Sequence, residues 1–423
     1  MSNHASLIHL SSRKNIDVGA SCHFEEEVIQ FLIGNNIKWE KRKIYENTNN
    51  ILAIGSQYDE ANDEKKFLLG LHIIPTPDSY EEFMNPSSCK SITDNIGQTP
   101  FLSIIHLHED IWRNKNDIVT ARILAKLNRL RNRWYARNTV AKRIPVTLAM
   151  KFLEEHHLWG STRAKFNYGL YLKPKKQEEE KDTLVAVATF SPRRHVSRHH
   201  SNRMYRSHEL IRYCAKRDEV VLGGITKLLS AFCRDVAPDD IVTCIDRDFG
   251  AGEGWSSIGF ERVQVMPPLI MVVRKQTNPN FCIERKYLVG AGIDSLDDKK
   301  SNSRQGRPGI NSTVYSDLQQ VTDSGEAIKT LMSHGLCPVY DTGVERRMMI
   351  VQKSTLKSHS VLKKEELNLT DILIPDEMSI QDIWDQSTPK FPDHYYSPNA
   401  GIALLLQNAV STDDYNSKSR SFT

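Results

Sequence analysis

Two adjacent glycines in "VVLGGITKLLSAF" (Val220 to Phe232) stand where residue type and spacing could do chemistry. A β-branched run stops at Leu222. Ile225, Leu228, Leu229, Phe232 and Cys233 then repeat at the spacing of an amphipathic helix. Gly223 and Gly224 therefore fall at a strand-to-helix turn. There the first amides of the helix lack partners, and missing Cβ atoms let an anion come close to the backbone. Lys227 sits in the first turn, where the helix dipole disfavours a cation; a bound anion would offset that. The expected anion-binding set is Leu222, Gly223, Gly224, Ile225, Thr226 and Lys227. The spacing is neither the G-x-x-x-x-G-K-[ST] loop of nucleotide hydrolases nor the G-x-G-x-x-G of dinucleotide binders. A double glycine on its own more often only turns a corner.

The next predicted strand, "DDIVTCIDRD", ends in Asp246, Arg247 and Asp248. Ligands of open α/β sheets lie beyond the carboxyl ends of the strands, so these three residues and the glycine turn are expected to flank one cleft. Asp246 or Asp248 would act as general base and Arg247 would hold a phosphate. The competing reading is an Asp–Arg turn closed by a local ion pair.

Charge is the second signal. The formal net charge is only +4, but Ile118 to Lys151 carries nine Lys and Arg and no acid, among them Arg131, Arg133 and Arg137. A second block, Ser191 to Arg217, includes Arg193, Arg194, Arg198, Arg203 and Arg206 against the lone carboxylate of Glu209. Clustered cations displace counterions from phosphates, and Trp134, Tyr135 and Tyr205 are interleaved with them. Nucleic acid is the expected partner, with a merely solvated surface as the alternative.

The elements that must position these residues follow from periodicity. Phe24, Val28, Phe31 and Leu32 mark a helix; "FLLGLHIIP" and "FLSIIHLHE" read as buried strands; "NDIVTARILAKLNRL" is helical again. Together they predict a small α/β domain over residues 20–130. A second domain, 135–353, opens with the helix "VTLAMKFLEEHHLWG" and the hairpin "FNYGLYLK"/"TLVAVATFSP". It continues through "HELIRYCA", the glycine turn and "PLIMVVRK", and predicts one mixed sheet with helices on its faces. A polar insertion at about 297–322 reads as a loop, "CPVYDTGVERRMMIVQ" as a terminal hairpin, and 354–423 as a mostly disordered tail.

Seven scattered cysteines with no C-x-x-C argue against a disulfide framework and suit an intracellular compartment, cytoplasmic or nuclear, with organelle import as the alternative on a Ser-rich, acid-poor N-terminus. The histidines, including His156–His157, His195, His199–His200 and His208, show no ligand spacing, and no metal site is expected. No run approaches the roughly 18 apolar residues of a membrane span, so no membrane partner is expected.

The strand–GG–helix–strand–helix–"GF" succession resembles the acyl-CoA-binding half of the GNAT N-acyltransferases. More closely, residues 100–350 resemble phage-encoded proteins with a GNAT-like domain, related to the Mom DNA-modification proteins, behind a Vsr-like PD-(D/E)XK nuclease domain. The matching pieces include "WYARNTVAKRI", "ELIRYC", "IDRDFGAGEGWSSIGF" and "GLCPVYDTG". The resemblance implies acetyl-CoA or another acyl-CoA as cofactor, its pyrophosphate on Leu222 to Thr226, and DNA rather than RNA as the nucleic acid. It also exposes departures. Trp255 stands where such enzymes often use a tyrosine acid, and an indole cannot give a proton to a thiolate. Val220 replaces the Arg or Gln of the pyrophosphate motif. In the N-terminal domain Glu25, Glu26 or Glu27 would supply one metal carboxylate, but Gly70 occupies the place of the strand aspartate. The leading expectation is thus an α/β protein with a degenerate nuclease-like domain and a GNAT-like acyltransferase domain. The alternatives are a non-catalytic nucleic-acid-binding protein and a residual metal-dependent endonuclease.

Overall fold

The computed structural model describes residues 20–44, 51–59, 64–77, 79–80, 86–173, 183–198, 201–250, 252–268, 270–274, 286–287, 312–351 and 378–388. Among them no helix is long and apolar enough to cross a membrane.

The N-terminal unit comprises α1 (Ala20–Gly34), β1 (Trp39–Arg42), β2 (Ile51–Asp59), β3 (Glu64–Ile74), α2 (Pro86–Asp94), β4 (Ile104–His108), α3 (Glu109–Asn114) and α4 (Asn116–Lys126). The strands lie in the order β1-β2-β3-β4, antiparallel until β4 joins β3 in parallel. The two-residue side-chain period sorts the faces. Leu69, Leu71, Ile73, Ile105 and Leu107 pack under Phe24, Val28 and Leu32 of α1 and Ile118 and Ile123 of α4. Ile51, Ala53, Phe67 and Ile104 form the opposite core with Ile92 of α2. The α/β domain expected over 20–130 is therefore built as two helix layers around one sheet.

Beyond it come β5 (Asn132–Tyr135), β6 (Thr139–Arg143), α5 (Val146–His156), β7 (Phe166–Leu172), β8 (Leu184–Phe190), β9 (Arg194–Arg198), β10 (Ser201–Ala215), β11 (Glu219–Leu222), α6 (Gly224–Val236), β12 (Asp240–Asp246), α7 (Glu253–Ser256) and β13 (Glu261–Val265). After them run β14 (Ile270–Arg274), β15 (Lys286–Tyr287), α8 (Ser312–Gln319), α9 (Ser324–Ser333), β16 (Leu336–Tyr340), β17 (Val344–Ile350) and α10 (Ile380–Asp385). The expected mixed sheet is present, in the order β13-β17-β12-β10-β8-β7-β6 with β9 added on β10. Its one parallel pair is β10/β12. Its α6 face buries Leu210, Ile241 and Phe260 beneath Leu228, Leu229 and Phe232; the other face carries Val242 and Met348.

Two expectations need correction, and one tail segment docks. The "CPVYDTGVERRMMIVQ" segment is not a hairpin: β16 pairs β14 in a small sheet, whereas β17 runs between β12 and β13. The chain changes sheets at Gly343, whose φ of +86° a glycine adopts without strain. The polar stretch is helical from Ser312, because Val314 and Leu318 pack with Ile328 and Leu331 in a core of their own. Inside the nominal tail, α10 docks on the large sheet through buried Ile383 and Trp384, its start fixed by a Ser379–Asp382 capping box. The rest of that tail lies outside the described residues.

Candidate functional site

The glycine turn sits where the sequence placed it. Strand β11 ends at Leu222, Gly223 takes the left-handed conformation with φ +72° as the residue preceding α6, and Gly224 begins the helix. The apolar stripe is buried through Leu228, Leu229, Phe232 and Cys233. Leu222, Gly223 and Thr226 are exposed and Ile225 half-buried.

Two groups already occupy part of this helix end. The Ile225 amide faces Tyr213 Oη. Lys227 Nζ donates to the Ala136 carbonyl at 2.6 Å and to that of Thr139, so the backbone of the adjacent turn, not an anion, answers its charge. Burial, then Lys173, holds the Lys227 ammonium below its ordinary range. Neither Gly224 nor Thr226 gives its amide to a side chain or loop carbonyl among the described residues.

The strands beside this turn diverge. β10 and β12 pair only from Ser207–Asp240 to Leu210–Thr243. Beyond that point β10 bulges between Leu210 and Arg212 and follows β8, while β12 follows β17 as far as Asp246. The opening between them is bordered by the second half of β10 and by Cys244 to Asp246.

The Asp246–Asp248 cluster is a joint between the two units. Asp246 accepts from the Trp159 indole at 2.9 Å and from the Asp248 amide at 3.0 Å. It also faces Arg122 of α4, whose guanidinium lies 5.0 Å from the Phe249 ring centroid. Arg247 is buried: it donates to the Thr342 carbonyl at 3.1 Å and pairs with Asp94 of α2. Burial pushes the Asp94 carboxyl up, but Lys90 and Arg247 outweigh it and leave that group below its ordinary range. Asp248 is buried as well; its Oδ1 receives both the amide and the hydroxyl of Thr342 at 2.9 Å, and its Oδ2 lies 3.5 Å from His108 Nε2. Arg247 is thus spent on the internal joint instead of a phosphate, and Asp248 on holding the turn before Gly343. Only Asp246 keeps a place at the opening.

A carboxylate overlooked as a site residue joins it. Glu209 of β10 pairs in register with Val242, which puts its side chain on the face opposite α6, alongside Cys244 and Arg346. Burial raises the Glu209 carboxyl above the ordinary range, against the pull of Arg212, Arg346 and Arg194. Its standing as the only acid in the second basic block was the available signal. Nearby, burial and then Arg212 and Arg122 depress the His157 imidazole to about 2.

The basic residues do not form one class. Arg131, Arg133 and Arg137 are exposed along β5 and the turn after it, with Arg137 stacked 4.8 Å from the Tyr135 ring centroid. This strip borders the α6 N-terminus, since a Cβ on Gly223 would touch Ala136 at 3.5 Å. Arg193 is exposed, Arg194 half-buried, and Arg206 is paired with Asp239 at 3.3 Å. Arg198 does not belong to any surface: it is buried against Asp240 at 2.6 Å. The Arg203 side chain lies outside the described residues.

In the N-terminal unit, Gly70 faces the apolar layer, where a Cβ would meet Phe101 at 3.0 Å and Ile51 at 3.1 Å. Glu25 pairs with Lys41. Glu27 and Glu109 converge, but Arg113 bridges them with a guanidinium. That cation stands where a nuclease ion would need carboxylates alone. The same unit brings His72, Cys89 and His106 together inside its α2 layer, a grouping that their sequence spacing did not suggest.

No family model matches the chain, and no curated protein matches it.

Proposed function

We propose that the large-sheet unit is a GNAT-type acyl-CoA-dependent transferase whose acceptor is carried by nucleic acid. The observation that carries this reading is the divergence of β10 from β12, the sheet's one parallel pair, beside the start of α6, where Gly223 and Thr226 are exposed and Gly224 is buried. A pantetheine arm would enter the opening and its pyrophosphate would meet the amides of Gly224 and Thr226, flanked by Arg137 and Lys173. In the transfer, the acceptor amine attacks the thioester carbonyl. The C–N bond forms, the C–S bond breaks, CoA leaves as thiolate, and the surplus amine proton passes to a carboxylate. Glu209 suits that task because burial moves it toward neutral pH, and Asp246 is the second candidate. Trp255, packed edge-on against Phe260 at 5.4 Å, offers no acid for the thiolate, which would take its proton from water. The exposed Arg131, Arg133 and Arg137 strip supports a phosphate-backbone partner, with DNA preferred on the resemblance alone.

Thermal unfolding with acetyl-CoA tests the reading. A ligand at 100 times its Kd adds about 2.7 kcal/mol, so saturating acetyl-CoA should raise the melting midpoint measurably. Thr226→Glu should abolish the rise without lowering the midpoint of the free protein, because a glutamate in the first turn favours the helix while repelling pyrophosphate. This variant is preferable to Gly224→Asp, whose Cβ would crowd Tyr213 Oη and Val221 at 3.0 Å. No shift with millimolar acetyl-CoA or CoA overturns the proposal. The Trp255 substitution and the protein-filled joint favour a second reading, a non-catalytic nucleic-acid binder. Salt-dependent DNA binding with no acyl-CoA effect would select it.

A further inference from the structure

We propose that His72, Cys89 and His106 bind one zinc-class divalent ion between the N-terminal sheet and α2. His72 and His106 are register partners on the parallel strands β3 and β4, so their rings stand side by side on one face. Helix α2 lays Cys89 and Thr93 over that face, and the ligand atoms of the two histidines and the cysteine all lie within 4.8 Å of one another. All three side chains are buried.

The hydrogen-bond inventory leaves room for an ion. The two Nδ1 atoms approach to 2.9 Å, and His106 Nε2 meets Thr93 Oγ1 at 2.8 Å. His72 Nε2, the ring nitrogen away from that pair, is buried with no hydrogen-bond partner and is not the ligand atom. A tetrahedral ion with Zn–N bonds of about 2.0–2.1 Å separates two nitrogens by about 3.3 Å. The pair therefore needs to open by only about 0.4 Å on that geometry. Thr93 then fixes the His106 tautomer from outside, accepting from Nε2–H and leaving the Nδ1 lone pair for the metal.

The donor set chooses the class of ion. Two imidazoles and a thiol suit zinc and its late first-row neighbours, whereas magnesium and calcium require oxygen ligands. The ion takes each imidazole in its neutral form. The ion replaces the Cys89 thiol proton: the S–H bond breaks, the metal–sulfur bond forms, and one proton leaves to solvent. The charge balance is workable, with Asp248 facing Cys89 and Arg247 facing His106. Three protein ligands leave the fourth position to water.

The test uses the full-length chain. Purified from zinc-supplemented medium and dialysed, it should hold one zinc per chain by mass spectrometry of the elements. After chelation and loading with cobalt, it should show a sulfur-to-cobalt charge-transfer band in the near ultraviolet together with tetrahedral ligand-field absorption. Cys89→Ser should lose the charge-transfer band, and His72→Gln should lower metal retention at least tenfold. Thr93→Val should keep the band but release metal more readily. If a variant fails to fold, the wild-type cobalt spectrum and its disappearance with chelator decide alone. Trace metal after dialysis combined with the spectrum of hydrated cobalt overturns the proposal. So does a cobalt spectrum that is identical in wild type and Cys89→Ser.

Discussion

Replacing Arg198 by methionine is the perturbation whose cost can be worked most directly. The Arg198 and Asp240 side chains are 1% and 0% exposed, with Nη2 and Oδ2 2.6 Å apart. Arg198 Nε also reaches Ser387 Oγ at 3.1 Å, just beyond α10, and the guanidinium lies 4.1 Å from the Tyr205 ring centroid. Asp240 Oδ1 accepts from Ser207 Oγ at 2.5 Å. Methionine keeps most of the volume but leaves the Asp240 charge buried with a single hydroxyl for company. Breaking a buried pair from one side costs about 3–5 kcal/mol, against total stabilities of about 5–15 kcal/mol for a domain. Urea unfolding should show a loss of that size. Removing both charges in Arg198→Met/Asp240→Leu should restore more than half of it, since no uncompensated ion remains. DNA affinity per folded molecule should not change. A single-variant loss under about 1 kcal/mol, with weakened DNA binding and a smaller salt slope, would refute the structural assignment and return Arg198 to the surface class.

Two further outcomes are expected. His157 should make the protein acid-sensitive: its folded pKa is depressed, so below about pH 6.5 the unfolded chain takes up a proton that the native ring refuses. Its contribution is complete above the unfolded pKa and falls as the pH drops toward the folded one, by about 2 kcal/mol between pH 7.5 and 5. Urea midpoints across that range should flatten in His157→Gln, and an unchanged slope would contradict the burial argument. Gly343→Ala should destabilise by about 2–3 kcal/mol or more, combining left-handed strain with overpacking. The new Cβ would clash with the Met266 carbonyl oxygen. A calorimetric midpoint equal to wild type would show that the switch between sheets is not made there.

The sequence was most legible where local physics decides the outcome. Helix α6 starts within its predicted turn because the glycine pair and the apolar stripe agree on one boundary. Strand β2 went unread because its first half is buried on both faces and its second half is exposed on both, which leaves no period of two. The fate of "CPVYDTGVERRMM" depended on partners far along the chain. Adjacent strands with a glycine between them resemble a hairpin until the longer-range pairings of β14 and β12 claim them. The histidine–cysteine cluster was hidden for the same reason: strand register and helix docking bring together residues 34 positions apart. Charge counting placed the exposed arginines well. It could not see that Arg198 had a counter-ion waiting inside.

Arg247 leaves the end of β12 and finds its carboxylate, Asp94, in the helix that covers the other sheet. Chain order assigns the cation to one half of the molecule and its anion to the other. A cut between the halves would therefore strand a buried positive charge on one fragment and leave the acid on its sibling with Lys90 alone. The halves are obliged to mature as a pair, and any drift in one at this seam must be matched in the other.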